Sequence, residues 1–381
     1  MDICVIGAGM MGRAITFDLC KNSNFENVIV ADRNQEHLES AKHFLQKHDV
    51  DYAVVDVNKT REVTSLFQRC DIVISAIPYT HNYFLAKTAV ATKTHFLDLG
   101  GNNDVVEKER NLYVSAKEKK VTIIPDCGLA PGMTSVIVKD IVEQHDEIDF
   151  VKIRVGGLPV NPYPPLNYQI VFSPYGLINE YVEDAIVLEE KKILKKKSMT
   201  EVETVTFPSP FGEMEAFLTS GGCSTLPFTY KDRIGFLDYK TIRYPGHCEL
   251  FKTFLDMGFA DNQSVVVGET EIVPRDLFAL ILLKSLPQNE QDVVLIKVLS
   301  QGRKNNTKLN VEYQVIDYFD DENNITSMMR TTGYPVSITA QMIQQEVITE
   351  HGVFGSEEIV PCTPYFKELE KRNIRIKKTV V

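Results

Sequence analysis

Six residues, "GAGMMG" at positions 7 to 12, limit what this chain can fold into more than any other stretch. They directly follow the apolar run Ile3-Cys4-Val5-Ile6. The backbone must turn sharply after such a strand, which Gly7 permits. A side chain at Gly9 would block the close approach of a pyrophosphate, and Gly12 lets the next helix pack tightly on the strand. Met10 and Met11 open that helix, whose free N–H groups and partial positive charge suit phosphate oxygens. A lone G-x-G-x-x-G is weak, but this one follows a strand and opens a helix. Asp32 also lies twenty residues beyond Gly12, at the end of the second predicted strand, where a carboxylate meets an adenosine ribose. The alternative is a tight turn that holds no ligand.

Asp32 bears on which dinucleotide is expected. Its carboxylate accepts from both ribose hydroxyls and repels a 2′-phosphate, so NAD is expected as cofactor. Arg33 cuts the other way, since an arginine there can stack on adenine or take a phosphate. Asp56, ending the third strand, suits either the adenine amine or a helix cap. Ile77 and Pro78 end the fourth strand, where backbone flanks the nicotinamide ribose in such sheets.

Apolar runs and amphipathic segments alternate from residue 2 to about 127. This βαβα order predicts a doubly wound parallel sheet of the Rossmann type. The pattern changes near residue 150. Val151–Val155, Tyr168–Phe172, Val202–Phe207 and Glu213–Leu218 read as strands separated by proline-rich turns. Val293–Leu299, Leu309–Phe319 and Ile325–Thr331 read as a meander. Without long crossover helices this second sheet is expected to be mostly antiparallel, giving an α+β domain. Helices are expected at Cys248–Met257, Pro274–Leu286 and Val336–Glu346. The predicted division is a dinucleotide-binding domain over 1–130, joined by 332–381, and a substrate and dimerisation domain over 131–331. "EEKKILKKK", residues 189–197, reads as a solvated strand or loop.

Composition narrows the partners. A formal charge of −11 argues against nucleic acid and against an anionic membrane surface. The seven cysteines form no C-x-x-C pair, so neither a disulfide framework nor a thiolate metal site is expected. A strand beginning at residue 2 leaves no room for a leader, and no apolar run spans a bilayer. The expectation is a soluble cytoplasmic protein with a small-molecule partner and no metal. The long predicted meander suits pairing across a two-fold axis, hence a homodimer or dimer of dimers.

Three stretches look unlike plain scaffold. "PDCGLAPGM", residues 125–133, follows a strand and offers turn N–H groups toward a cofactor edge. There Asp126 is a candidate for the nicotinamide side, and Cys127 reads as a small buried thiol. "TSGGCSTLP", residues 219–227, carries Ser224 and Thr225 as candidate substrate hydroxyls. "DYKTIRYPGH", residues 238–247, gathers Asp238, Lys240, Arg243, Tyr244 and His247. Arg243 suits a bidentate grip on a carboxylate, and His247 can exchange a proton near neutrality.

Together "GAGMMG", "DLGG", "PDCGLAPGM", "GGLPV…PPLNY", "SGGCSTLP" and "DYKTIRYPGH" resemble the saccharopine dehydrogenase-like family, in the same order over residues 1 to about 285. Within it the chain looks most like the lysine 6-dehydrogenase branch. The resemblance implies a Rossmann domain, an α/β domain for substrate and dimer contacts, and NAD-dependent oxidative deamination of L-lysine at its ε-carbon. The products would be 2-aminoadipate 6-semialdehyde, ammonia and NADH.

That chemistry needs a base, because a protonated ε-ammonium releases no hydride from its carbon. His247 is the first candidate and His81 the second. Arg243 would hold the α-carboxylate and Asp238 the α-ammonium. Tyr168 and Tyr244 would line the aliphatic chain or hold the water. Two other readings stand beside this one. A saccharopine or carboxynorspermidine-type dehydrogenase would need more cations, with Lys231 and Arg233 available. A non-catalytic NAD-binding regulator on the same fold is the other.

Overall fold

The computed structural model describes residues 1–288 and 290–380. Its first half alternates strand and helix: β1 (Asp2–Ile6), α1 (Met10–Asn22), β2 (Asn27–Asp32), α2 (Gln35–Phe44), β3 (Asp51–Val54), α3 (Thr60–Phe67), β4 (Ile72–Ser75), α4 (Asn82–Thr92), β5 (His95–Asp98), α5 (Asn103–Arg110), α6 (Tyr113–Lys119), β6 (Thr122–Ile124) and α7 (Met133–Gln144). Then follow β7 (Glu147–Pro159), α8 (Pro174–Val182), β8 (Ala185–Glu189), β9 (Lys192–Lys196), β10 (Glu203–Phe207), β11 (Gly212–Leu218), α9 (Leu226–Thr229), β12 (Ile234–Arg243) and α10 (His247–Asp256). The last third holds β13 (Val265–Val267), β14 (Thr270–Ile272), α11 (Pro274–Ser285), β15 (Asp292–Lys304), β16 (Thr307–Tyr318), α12 (Ser327–Gln344), β17 (Gly352–Val353), α13 (Ser356–Ile359), α14 (Cys362–Lys371) and β18 (Lys377–Val380).

The chain divides into two compact units. Unit 1 takes Met1–Asp140, Ser224–Thr229 and Met329–Ile374; unit 2 takes Ile141–Cys223, Tyr230–Met328 and Arg375–Val381.

Unit 1 is a seven-stranded parallel sheet in the order β17-β6-β5-β4-β1-β2-β3. Helices cover it, so its central strands are apolar on both sides. Ile3, Cys4 and Val5 of β1 and Ile72, Val73 and Ile74 of β4 are wholly buried, each aliphatic side chain contributing about 1.5–3 kcal/mol. The late helices are tied in through one buried carboxylate. Asp18 on α1 accepts from Arg372 Nε at 2.6 Å, Ser337 Oγ at 2.7 Å and Gln341 Nε2 at 3.3 Å. Gly333 lets α12 close on α1, where an added methyl would stand 3.2 Å from Ala14 Cβ.

Unit 2 holds a nine-stranded sheet whose main path is β10-β11-β12-β7-β15-β16-β18, with β8 added on β12 and β9 on β8. As expected, the sheet is mostly antiparallel; at its centre β12 and β7 run parallel. Long intervening chain between those two strands makes such a crossover possible. The turn between β15 and β16 places Asn305 and Asn306 at φ 51° and 61°, the left-handed pair a tight hairpin requires. The "EEKKILKKK" stretch spans the end of β8, a turn and β9.

Two expected strands are absent among the described residues. Tyr168–Phe172 forms only an isolated bridge, Ile170 with Gln288. Ile325 bridges Asp320, and helix α12 begins at Ser327. The cause is remote in sequence: the Asp292 carboxylate accepts from the N–H groups of Ser327 and Met328 at 2.6 and 2.8 Å. It caps the helix from thirty-five residues away. Consequently α12 starts nine residues before the expected Val336 and carries Pro335 inside it.

Candidate functional site

In unit 1 the C-terminal ends of the parallel strands form a rim of loops, the place where open α/β sheets bind ligands. The glycine loop joins β1 to α1 there. Gly7 has φ 109°, and a methyl at Gly12 would fall 1.7 Å from the Gly7 carbonyl oxygen. A methyl at Gly9 would meet nothing within 4 Å, so that face of the loop is open. Gly9 caps α1 with no side-chain acceptor on its first-turn N–H groups. Met10 and Met11 are half-buried at the first turn. An open face over uncapped N–H groups fits a pyrophosphate.

Asp32 ends β2, and backbone fixes its carboxylate: one oxygen accepts from Ala8 N–H and the other from Asn34 N–H, both at 2.8 Å. Beyond it lies an open pocket of about 550 Å³ lined by Arg33, Asn34, Asp56 and Lys59 among others. Of its two cations, Arg33 and Lys59, Lys59 is paired with Glu62 at 2.9 Å, and Asp56 accepts from Asn58 N–H at 3.0 Å. Ile77 and Pro78 follow β4, and an Ile77 methyl group would meet any side chain added at Gly7.

Toward the other edge of the sheet the rim is acidic. Asp98 ends β5 and accepts from Gly100 N–H at 2.6 Å. Asp126 follows β6 at φ 56° and accepts from the Ser224 hydroxyl. Gly100 has no room for a side chain, because Asp126 Oδ1 would lie 1.5 Å from its Cβ. Burial and the charge of Asp98 push the Asp126 carboxyl up to about 7. Burial pushes Asp98 up to about 6. Glu109, facing them from α5, is pushed up to about 11 by burial and by both aspartates. Cys127 is buried, and burial pushes its thiol up to about 12, which makes it a poor nucleophile.

In unit 2 the period-two alternation of β12 divides the "DYKTIR" residues between its faces. Asp238 and Lys240 share one face. Asp238 is closed by Arg154 of β7 at 2.8 and 2.9 Å, and Lys240 by Glu203 at 3.1 Å. Asp238 is therefore a buried structural anion, which corrects its reading as a substrate ligand. Tyr239, Thr241 and Arg243 lie on the other face. A methyl at Gly222 would meet the Tyr239 ring at 2.3 Å, so that glycine makes room for a tyrosine.

Arg243 is buried between aromatic rings, its guanidinium carbon 4.8 Å from the Tyr168 ring centre and 5.7 Å from that of Tyr181. Its Nε–H donates to Tyr181 Oη at 2.8 Å, while Glu180 Oε2 stands 4.0 Å off. His247, the first residue of α10, is equally buried. Its Nδ1 contacts Leu166 O at 2.8 Å and its Nε2 contacts Tyr181 Oη at 3.0 Å. One assignment satisfies every group: Arg243 donates to Tyr181, Tyr181 donates to His247 Nε2, and Nδ1–H donates to the Leu166 carbonyl. Burial, then Arg243, hold the imidazole down to about 3. It is neutral, and its lone pair is occupied. Tyr244, half-buried, donates to Pro159 O at 2.9 Å.

Ser224 and Thr225 belong to unit 1. Thr225 donates to Glu357 Oε1 at 2.7 Å, beside Thr229 at 2.8 Å. Its hydroxyl is thus committed to anchoring its own segment, which corrects its reading as a substrate hydroxyl. His81 is half-buried ahead of α4, and Lys231 and Arg233 are exposed. Glu180, Tyr181, Glu109 and Glu357 were not among the residues expected, and no short motif marks them.

The uncapped glycine loop at the rim of a parallel sheet, with a backbone-fixed aspartate ending the second strand, defines a dinucleotide-binding α/β protein. Residues 3–124 match the saccharopine dehydrogenase NADP binding domain, and residues 128–374 the saccharopine dehydrogenase C-terminal domain. The chain belongs to the saccharopine dehydrogenase family of oxidoreductases. It is 22% identical to the NADP(+), L-glutamate-forming saccharopine dehydrogenase of Saccharomyces cerevisiae, covering 100% of this chain and 99% of that one. It is 21% identical to the mitochondrial alpha-aminoadipic semialdehyde synthase of Rattus norvegicus over 96% of this chain, but spans 46% of that protein. Among solved structures, apo saccharopine dehydrogenase (L-Glu forming) from S. cerevisiae superposes with a TM-score of 0.81 at 20% identity, covering 100% and 99% of the two chains. Homospermidine synthase from Legionella pneumophila in complex with NAD gives 0.67 at 13%, covering 100% and 91%. Among the described residues no helix is long and apolar enough to cross a membrane.

Proposed function

We propose that this protein is a dinucleotide-dependent dehydrogenase acting at the carbon–nitrogen bond of a lysine-derived secondary amine, a saccharopine-type reaction. The observation that carries the dehydrogenase reading is the glycine loop of unit 1, open over Gly9 and uncapped at the α1 N-terminus. The names of the relatives support the substrate class. Gly7, Gly9, Met10, Met11 and Gly12 would hold the pyrophosphate, Asp32 the adenosine ribose, and Ile77 and Pro78 the nicotinamide ribose. When bound, the dinucleotide supplies the hydride acceptor. The chain itself must hold the substrate nitrogen unprotonated while hydride leaves, admit one water, and return a proton to the departing nitrogen.

For the dinucleotide we infer NAD, although the saccharopine dehydrogenase of S. cerevisiae is named for NADP(+). Asp32 is an anion fixed in place by two backbone N–H groups where a 2′-phosphate would lie. The nearby Lys59 is already neutralised by Glu62.

A second reading, oxidative deamination of free lysine, draws on the cations of unit 2. Arg154 and Lys240 are closed by carboxylates at 3.1 Å or less, whereas Arg243 has its approaching carboxylate 4.0 Å away. A buried guanidinium with no carboxylate closer than 4.0 Å suits a substrate with one carboxylate better than one with several. The deciding experiment follows absorbance of the reduced dinucleotide with NAD or NADP and either saccharopine or lysine. Turnover with saccharopine alone supports the first reading, and turnover with lysine alone the second. Dinucleotide binding without oxidation of either amine refutes both. We further propose a homodimer or dimer of dimers acting on a small molecule in the cytoplasm, testable by sedimentation and by fractionation.

A further inference from the structure

The rim of unit 1 contains more carboxylate oxygens than it has donors. Asp98 and Glu109 are fully buried and Asp126 is 6% exposed. Asp98 Oδ2, Asp126 Oδ1 and both carboxylate oxygens of Glu109 meet no donor. Glu357 of α13, also buried, adds its charge to that felt by Asp126, and no lysine, arginine or histidine is among the groups that shift these carboxyls. Four buried carboxyls with no cation among the groups that shift them cannot all be ionised. Asp98 and Glu109 lie within hydrogen-bonding reach of each other, a contact that exists only if one of them carries a proton. Glu109, neither of whose oxygens meets a donor, is therefore the proton bearer, donating toward Asp98, which accepts from backbone N–H groups.

Asp126 differs from that pair in two respects. It stands at the C-terminal end of β6, on the rim where ligands bind, and it has a hydroxyl of its own from Ser224. Its left-handed φ of 56° is imposed beside Gly100, which makes room for the carboxylate. Such a backbone conformation in a residue other than glycine is held only where the surroundings enforce it.

We propose that Asp126 is the residue through which this site takes up and returns the reaction's proton, with Ser224 tuning it and the Asp98–Glu109 pair backing it. This rests on the amine dehydrogenase reading above. In the forward direction an N–H bond of the substrate ammonium breaks and an O–H bond forms on an Asp126 carboxylate oxygen. The electron pair stays on nitrogen and is available to expel hydride from the adjacent carbon. After hydride has left, water adds to the iminium carbon and one of its protons goes to solvent. The Asp126 O–H bond then breaks and its proton joins the nitrogen, the C–N bond breaks as the new hydroxyl gives its proton to the departing amine, and the carboxylate is restored. Asp98, Glu109 and Glu357 face this group as like charges or their protonated forms. They keep its proton affinity near that needed for reversible exchange at neutral pH, where a carboxylate of ordinary acidity would take up a proton poorly.

The test begins with the full-length protein free of ligand. Infrared difference spectra across neutral pH should show one carboxyl losing its proton near pH 7, a change absent from Asp126→Asn. Absence of that titration in the wild type overturns the proposal, whatever amine the enzyme oxidises. With the amine that the wild type turns over, Asp126→Asn should lower kcat by about 10²-fold or more while calorimetric dinucleotide affinity holds. Ser224→Ala, which removes the hydroxyl that favours ionised Asp126, should fold normally and shift the acid limb of kcat to higher pH. The shift should reach about one unit, or about tenfold in kcat on that limb. A limb that stays in place in Ser224→Ala, or near-normal kcat in Asp126→Asn, overturns the assignment. Failure of every amine would refute the substrate reading alone, since the infrared titration is scored without substrate.

Discussion

Replacing Glu109 with glutamine should stabilise the protein, and the gain should grow with pH. Glu109 is fully buried on α5 with no donor to either oxygen, and burial, then Asp98 and Asp126, push its pKa up to about 11. In the unfolded chain the same carboxyl titrates near pH ~4.3. Below that pH both states hold the proton and the burial is neutral toward folding. Above it the unfolded state releases the proton and the folded state does not, so stability falls as pH rises toward the folded pKa. Each unit removes up to ~1.4 kcal/mol. Reaching neutrality would cost up to about 4 kcal/mol, and sharing a proton with Asp98 reduces this to about 2–3 kcal/mol. Glutamine has no proton to lose, and its amide N–H can donate to Asp98. Thermal unfolding of both proteins from about pH 5 to about pH 8 measures the difference directly. For a unit of this size, ~2–4 °C per kcal/mol implies a gap that widens by about 4–12 °C. A gap independent of pH, or a variant less stable than wild type at the alkaline end, refutes the reasoning.

Other outcomes follow from the same geometry. Asp32→Ala removes an anion whose repulsion of a phosphate charge ~5 Å away is about 3 kcal/mol before solvent screening. Relative kcat/KM should move about 10–100-fold toward NADP, and an unchanged ratio removes Asp32 from cofactor choice. Gly12→Ala places a methyl 1.7 Å from the Gly7 carbonyl oxygen, where only backbone can yield. It should cost about 1–3 kcal/mol of stability and weaken dinucleotide binding at least tenfold by calorimetry. Arg372→Met strands the buried Asp18 carboxylate and should destabilise by about 3–5 kcal/mol in denaturant titrations. His247→Asn should leave the acid limb of the kcat profile in place, because the imidazole is already neutral there. A displaced limb would reinstate His247 as the base.

Local chemistry made the first domain legible. Gly7, Gly9, Gly12 and Asp32 act on backbone within a few residues of themselves, and the strands they join are short apolar runs with regular helical spacing between. Legibility fell where a distant group decides the outcome. Thr326 and Ser327 are a weak local start signal, and the groups that bind the first N–H groups come from Asp292. Tyr168–Phe172 carries a strand-like composition but finds no ladder beyond one bridge. The "DYKTIRYPGH" stretch reads as one cluster in sequence, yet strand alternation sends Asp238 to Arg154 and Arg243 to Tyr181. In the sequence His247 reads as a base because its partners, Leu166 and Tyr181, lie 81 and 66 residues away. The acidic rim is illegible in sequence for the same reason: Asp98, Glu109, Asp126 and Ser224 meet only after folding.

The composite make-up of unit 1 has a consequence for biogenesis. Its sheet is completed by β17, and its first helix is neutralised by Arg372, so more than three hundred residues must leave the ribosome before the nascent Rossmann layer can close. Until then the outer edge of β6 is an unpaired strand, open to wrong partners on neighbouring chains. A fragment ending near residue 140 should accordingly be recovered as aggregate, and chaperone demand should fall late in translation.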